Sequence, residues 1–483
     1  MADYKIRSTE SSKLRDRLDH PVIDSDGHIF EAPLVIADFL KKVGGSDMVD
    51  RLFNRVGGFN CGPGAPKIVP WPMFSGAYTI DRATYMLPRL YARRLEEAGV
   101  DFSTLYPTLG FRCQTIEDDE LRRAACRALN MMYAEIFSDV QDKMTPAAVI
   151  PMNTPAEAIE ELDFAVGKLG MKALMTANEV RRTPRVIAER APQLSAAVYE
   201  YSPLAIDSPY DYDPFWARCL ELKVAPTGHS MPFIGTHQSP VNYVYNRLGF
   251  WMTYGHAAAR ALFMSGATQK FPGLNFAFLE GGAWWGVALY NDLVEFWQKR
   301  NMDTMMEYHD PARLDLKLME EMFRRYGGEH LTAERMLPEA HREMKAARTA
   351  SGEVPIAVND WTAVDIRQKE DIRDLFVEPF YFGCEADDSL NYTAFNVKAN
   401  KMGARIKAMF SSDLGHWDVM DFGAVLHEAY EQVEKGLMTD VDFRDFVFTN
   451  PATFQTRGNP DFFKGTAVEG AVGSLLASEA KTA

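Results

Sequence analysis

Positive charge is scarce in this chain. Lys and Arg number 52 against 67 Asp and Glu, giving a formal net charge of −15 at pH 7. No basic patch interrupts that excess, which argues against a nucleic-acid partner. Cysteine is sparse too. The five residues Cys61, Cys113, Cys126, Cys219 and Cys384 are odd in number and widely spaced, with no C-x-x-C pair. They offer neither a disulfide framework nor a zinc finger, and fit reduced thiols in a cytoplasm. A nucleophilic Cys113 is the sharper reading and a buried thiol the ordinary one. No run of 18 apolar residues exists, so no membrane span is expected, and Met1–Arg17 lacks the apolar centre of a signal peptide. Internal repeats and low-complexity tracts are also missing. What is present is a globular balance, 47% hydrophobic and 25% charged over 483 residues. That length accommodates one elaborated large domain or two domains.

Eight short apolar runs bounded by Gly, Pro, Asn or Asp recur along the chain. They are Pro21–Asp26, Val100–Tyr106, Ala147–Met152, Lys172–Met175, Val224–Gly228, Asn275–Leu279, Pro379–Gly383 and Ile406–Ser411. Several are almost continuously apolar, as strands of a parallel sheet covered on both faces would be. Helical periodicity fills the intervals, over Pro88–Ala98, Leu121–Phe137, Pro155–Leu169 with Thr154 as N-cap, and Asp213–Leu222. Eight strands alternating with helices predict a (β/α)8 barrel, the TIM-barrel architecture, with a doubly wound open sheet as the runner-up. The expected organisation is an arm at 1–18, the barrel over 19–425, and a helical extension and tail at 426–483. Insertions are expected at 43–80, as a long Gly/Pro-rich loop, and at 289–369, as charged helix. The tail ends in Ser, Ala and Lys, where fraying is expected.

In such a barrel chemistry belongs at the C-terminal ends of the strands. Strand one runs into Ile23-Asp-Ser-Asp-Gly-His-Ile-Phe-Glu31, and strand alternation would put Asp24, Asp26 and His28 on one face. Strand five runs into His229, strand six into Glu280-Gly-Gly, strand seven into Glu385 with Asp387 and Asp388, and strand eight into Asp413 with His416 and Asp418. Strands two, three and four end in Pro107, Met152 and Thr176. One charged strand end is an ordinary turn; five converging in one mouth need a cation or protonation to coexist. Imidazole and carboxylate together suit a divalent metal ion.

The stretches Asp26-Gly-His28, His229, Glu280-Gly-Gly and Ser412-Asp413-Leu-Gly-His416 resemble the amidohydrolase-related proteins of the amidohydrolase superfamily, in the branch that includes aminocarboxymuconate semialdehyde decarboxylase. Glu97-Ala-Gly-Val-Asp101, Asp207-Ser-Pro-Tyr-Asp211 and Phe271-Pro-Gly-Leu274 look like that family as well. The likeness spans roughly residues 20–420. It implies a metal-dependent hydrolase or lyase, with decarboxylation as one form, acting on a small organic acid or carbonyl compound. Asp26 and Glu280 stand where the family pattern has histidine, which makes the site more anionic and shifts the expected ion from zinc toward manganese or iron.

The expected metal ligands are Asp26, His28, His229, Asp413 and Glu280, with Glu31 and His256 as candidates for a second ion. Asp413, Glu280 and His416 are the candidate catalytic groups. His256 is placed at the head of a helix running to Phe263, where a solvent-facing histidine is the plain alternative. Asp24 is expected to buttress the turn, and His237 to be a loop polar group. Glu385, Asp387 and Asp388 contact substrate or form a solvated loop, while Trp284, Trp285 and Tyr133 read as core or pocket wall. Arg93 or Arg112 are candidates for meeting an anionic substrate.

Two rival functions are a dinuclear iron or manganese–iron oxygenase on the same barrel and a non-catalytic partner subunit. A homo-oligomer, or a hetero-oligomer with a related subunit, is expected in the cytoplasm.

Overall fold

Buried strands with little polar interruption set the architecture. The computed structural model describes residues 4–55, 73–195, 197–230, 239 and 241–482. Eight parallel strands follow one another in a single sheet: β1 Ile23–Ile29, β2 Phe102–Pro107, β3 Met144–Val149, β4 Ala173–Ala177, β5 Pro226–Ser230, β6 Phe276–Phe278, β7 Phe380–Cys384 and β8 Lys407–Phe410. Each of the eight expected runs overlaps one of them, with ends displaced by up to three residues. The segment after β8 returns to β1, with Asp413 N donating to the Asp26 carbonyl at 2.8 Å and His28 N to that of Leu414 at 2.7 Å. The sheet is thus a nearly closed (β/α)8 barrel rather than an open doubly wound one.

Helices α1 Pro33–Asp50, α2 Pro88–Ala98, α3 Asp119–Ile136, α4 Pro155–Ala165, α5 Asp213–Glu221 and α6 Phe250–Met264 lie between the strands. Their starts follow local chemistry. Pro88 and Pro155 open α2 and α4, where the missing N–H costs nothing. Thr154 and Glu157 close a capping box on α4, and Asp118 caps α3 through Leu121 N. A two-stranded antiparallel hairpin, Glu179–Arg182 with Glu200–Pro203, follows β4.

The chain divides into two compact units, 1–289 with 374–483, and 290–373. The first holds the barrel. Its C-terminal segment covers the N-terminal ends of the strands: Phe463 meets Phe102 at 5.3 Å, Phe454 meets Tyr381 at 5.2 Å, and Asn275 Nδ2 donates to the Phe454 carbonyl. The tail expected to fray is instead helical over Glu469–Thr482, because Val472 and Leu475 are buried. The second unit is helical, with Leu316–Tyr326 beside Ala333–Ala346 and an ion pair of Arg348 with the buried Asp310. No helix among the described residues is long and apolar enough to cross a membrane.

Candidate metal centre

Strand β1 carries the first two site residues, and a register shift between Asp24 and Gly27 decides where they point. The bulge breaks the simple alternation expected for Asp24, Asp26 and His28. Asp24 turns into the barrel wall and accepts from Ser103 Oγ (2.7 Å), Ser412 N (2.8 Å), Ser412 Oγ (2.8 Å) and Asp26 N (3.1 Å). It ties β1 to β2 and to the segment after β8. Burial raises the Asp24 carboxyl pKa to about 6, with the Ser103 hydroxyl working against that rise.

Asp26 and His28 face the mouth, where they meet His229 from the end of β5. Asp26 Oδ1 lies 3.2 Å from His229 Nε2 and 3.4 Å from His28 Nε2, and the two Nε2 atoms are 3.3 Å apart. His28 Nδ1 lies 3.2 Å from the Pro107 carbonyl, which can only accept, so Nδ1 carries the proton and Nε2 presents its lone pair inward. Asp413 Oδ1 approaches His28 Nε2 at 3.1 Å and His416 Nδ1 at 2.6 Å. Glu280 Oε1 lies 2.9 Å from His416 Nδ1 and 3.8 Å from His28 Nε2. His416 stacks on His28 with ring centroids 3.7 Å apart. Two donor groups emerge, Asp26–His28–His229 and His28–Glu280–Asp413–His416, sharing His28.

Both Oδ atoms of Asp26, both of Asp413, Glu280 Oε2 and His229 Nδ1 are buried without a hydrogen-bond partner. The carboxylate oxygens lie close to the ring nitrogens yet are angled away from hydrogen bonds with them. Oxygen and nitrogen lone pairs therefore converge on a common space. Unpaired buried carboxylates cost several kcal/mol each unless a cation compensates. The donor set, carboxylate oxygen with imidazole nitrogen, fits a divalent metal ion and leans away from thiolate-loving ions.

The electrostatics run the same way. Burial opposes the Asp26 charge, but the His229 and His28 imidazoles outweigh it and hold the carboxyl below its ordinary range. Asp413 is likewise opposed by burial and lowered by His416 and His28. Burial disfavours a charged His416, yet Asp413 overrides it and lifts the ring to about 9.

Two of the site residues are held in strained backbone. Glu280 has φ +55° and Asp413 φ +51°, in the left-handed region that side chains other than Gly rarely adopt. Gly415, at φ +120°, permits the return to β1: a Cβ there would stand 2.5 Å from the His28 carbonyl oxygen.

The structure does not bring Glu31 or His256 into either donor group. Glu31 accepts from the Thr108, Leu109 and Gly110 amides at 3.3, 2.7 and 3.2 Å, and from the Tyr133 hydroxyl. Its carboxylate organises the turn after β2. His256 sits within α6 rather than at a helix start, because the helix begins earlier at Phe250, and its ring faces Trp285 at 5.9 Å. Cys113 is buried, and burial raises its thiol far above the range of a nucleophile. Glu385 is close enough for burial and the Asp413 and Glu280 charges to raise it well above the carboxylate range. Asp388 accepts from Glu385 N at 3.1 Å. Trp285 is buried while Trp284 is partly exposed. Arg93 donates to the Tyr4 carbonyl in the N-terminal arm. His237 and Cys61 lie outside the described residues.

Sequence reasoning missed the walls. Phe111 and Trp251 stand 4.7 and 5.1 Å from the His229 ring, and Arg247 pairs with Asp418. No motif marks these residues; the segment after β2, the short helix and start of α6 after β5, and the segment after β8 place them.

A barrel whose metal-competent residues gather at the C-terminal strand ends defines a class of metal-dependent barrel proteins. A family model described as amidohydrolase matches residues 112–332, a span that includes His229 and Glu280. Over those residues the chain is similar to that family. A solved amidohydrolase from Mycobacterium avium subsp. paratuberculosis K-10 shares the fold at a TM-score of 0.52 and 15% identity, covering 91% of this chain and 100% of that one. A dihydroxybenzoic acid decarboxylase from Polaromonas sp. JS666, solved with bound manganese, is similar at a TM-score of 0.47 and 16% identity, covering 92% of this chain and 99% of that one. No curated protein matches the chain.

Proposed function

We propose that the chain is a metal-dependent hydrolase or lyase of the aminocarboxymuconate semialdehyde decarboxylase-like branch, acting on a small organic acid or carbonyl compound. The observation that carries this reading is the set of buried carboxylate oxygens left without hydrogen-bond donors around His28 and His229. Asp26, His28, His229 and Asp413 would hold the ion, with Glu280 and His416 on the adjoining side. A divalent ion there supplies Lewis acidity, polarising a bound carbonyl or carboxylate and acidifying a bound water.

The remaining work falls to side chains. Asp413, which His416 and His28 hold below the ordinary carboxyl range, is the group that would accept a proton. His416 bridges Asp413 and Glu280 through Nδ1 and holds the proton that either can receive back. Phe111 and Trp251 keep the His229 side apolar, which excludes water and strengthens every charge interaction inside. Asp24 fixes the bulge that aims Asp26 and His28.

The test is turnover by the manganese-loaded chain on a panel of carboxylic acids and carboxylic esters or amides. Product release that stops on chelation and in Asp413→Asn supports the reading. A loaded, folded chain that turns over none of the panel counts against it.

The overlap of two donor groups at His28 favours a second reading, a two-metal iron or manganese–iron oxygenase. In that case Glu280 and His416 complete the second position in place of the expected Glu31 and His256. Near-two redox metals per chain with oxygen uptake on turnover would select it. We take the protein to act in the cytoplasm as a homo-oligomer or beside a related subunit. The free thiols of Cys113, Cys126, Cys219 and Cys384 support the compartment, and the exposed apolar row Val241, Val244, Tyr245 and Leu248 supports an assembly contact.

A further inference from the structure

Among the described residues, the buried arginines Arg94 and Arg122 spend both Nη atoms on protein partners. Arg94 uses Nε, Nη1 and Nη2 on Glu97, Asp81 and Thr84, and Arg122 reaches Glu157, Asp119 and the Ile116 carbonyl. Those are structural arginines, locked by forked contacts. Arg247 differs. Among the described residues its guanidinium makes one hydrogen bond, from Nη2 to Asp418 Oδ2 at 3.2 Å, although its side chain is only 20% exposed. Asp418 Oδ1 stays buried without a partner, so the pair is single-pronged, and among the described residues the rest of the Arg247 fork makes no further hydrogen bond.

Its position gives that freedom a use. Arg247 lies at the end of the short helix Tyr243–Arg247, with its guanidinium 5.6 Å from the Trp251 ring centre. Trp251 in turn lies 5.1 Å from the His229 ring. On the other flank, Trp417, next to His416, donates from Nε1 to the Tyr243 hydroxyl at 3.2 Å. Arg247 therefore stands on the wall of the same mouth as the donor groups, one aromatic layer from His229. Glu280 and Asp413 are near enough to act on its charge alongside Asp418. A cation with unspent planar donors beside a metal-competent centre is built to receive an anion.

We propose that Arg247, oriented by Asp418, is a specificity residue that receives an anionic group carried by the substrate away from its metal-held end. This rests on the metal-dependent reading above. The ion would neutralise the acids at one end of the substrate, and Arg247 would bind a carboxylate at the other, with Trp251 between them. Substrates with a single anionic group would leave Arg247 unpaired and bind less tightly.

The test is calorimetric titration of the full-length, manganese-loaded chain with dicarboxylates from malonate to adipate, each against the monocarboxylate of the same length. The expected result is one dicarboxylate binding on the order of tenfold more tightly than its monocarboxylate, as a charge-assisted hydrogen bond would give. In Arg247→Gln that preference should fall to within about twofold while monocarboxylate affinity holds, and Arg247→Lys should keep part of it. Manganese content measured on each sample shows whether the variant retains the folded site. A metal-loaded wild type without the preference, or Arg247→Gln that retains it, overturns this proposal alone. A wild-type chain that takes up no metal overturns the metal-dependent reading and this one with it.

Discussion

Two sets of buried carboxylates share the C-terminal end of this barrel and live in opposite conditions. Asp24 and Glu31 are each surrounded by donors, four hydrogen bonds to the first and contacts from three amides and a tyrosine to the second. Asp26 and Asp413, equally buried, have no hydrogen-bond partner on either oxygen, and Glu280 has none on Oε2. Sequence distance does not separate the sets, since Asp24 and Asp26 are two residues apart on one strand. What separates them is where the donors are. Ser103, Ser412 and the turn amides after β2 line the wall, whereas the mouth offers imidazoles and other carboxylates. Acids with donors are structural; acids aimed at one another and at lone pairs need a cation.

Asp26→Asn should break the comparison most severely. The amide keeps the shape but removes a charge from the Asp26–His28–His229 group, and metal affinity should fall by roughly 100-fold or more. Addition of Mn²⁺ should then raise the melting temperature of wild type and leave the variant's almost unchanged, as followed by thermal denaturation.

Asp24→Ala is expected to act through the fold. It leaves the Ser103 and Ser412 donors buried and unpaired, at a cost of about 3 kcal/mol in denaturant unfolding of the metal-free chain. Glu31→Gln should cost about 1–2 kcal/mol because the amide oxygen still accepts from the turn, and it should leave metal stoichiometry unchanged. A metal deficit in Glu31→Gln would move Glu31 into the other set.

A third kind of carboxylate is tied to neither set and shows itself only in the pH dependence of stability. Glu179, on the hairpin after β4, is raised from 4.5 to about 7 by burial, with Arg260 only partly offsetting it. The folded chain therefore holds that proton more tightly than the unfolded chain. This contribution to stability is complete below pH 4.5 and is lost as pH rises through about 7. Glu179→Gln should flatten the stability profile in that window, as read from denaturant midpoints across pH, without altering metal uptake.

Much of this was legible before the fold was known. The eight strands show as apolar runs because a covered parallel sheet tolerates few polar residues. The donors show because Asp26, His28, His229, Glu280 and Asp413 each close such a run. Glu31 could not be sorted by sequence, since its donors come from Thr108–Gly110 and Tyr133, far along the chain. The bulge that parts Asp24 from Asp26 is a register property and leaves no mark beyond Gly27. His256 was misplaced within its helix because Phe250 and Trp251, ordinary aromatics in sequence, begin α6 earlier. Arg247 was invisible for the opposite reason: nothing in Tyr-Val-Tyr-Asn-Arg is unusual until folding sets it beside Trp251 and Asp418.

The central claim is that the unpaired acids form a metal site, and the most direct measurement is elemental analysis of the purified chain after chelation and reconstitution with Mn²⁺. The account predicts at least one tightly held ion per chain, accompanied by a rise in melting temperature. A folded wild-type chain that retains no metal and shows no thermal response to it would contradict the account.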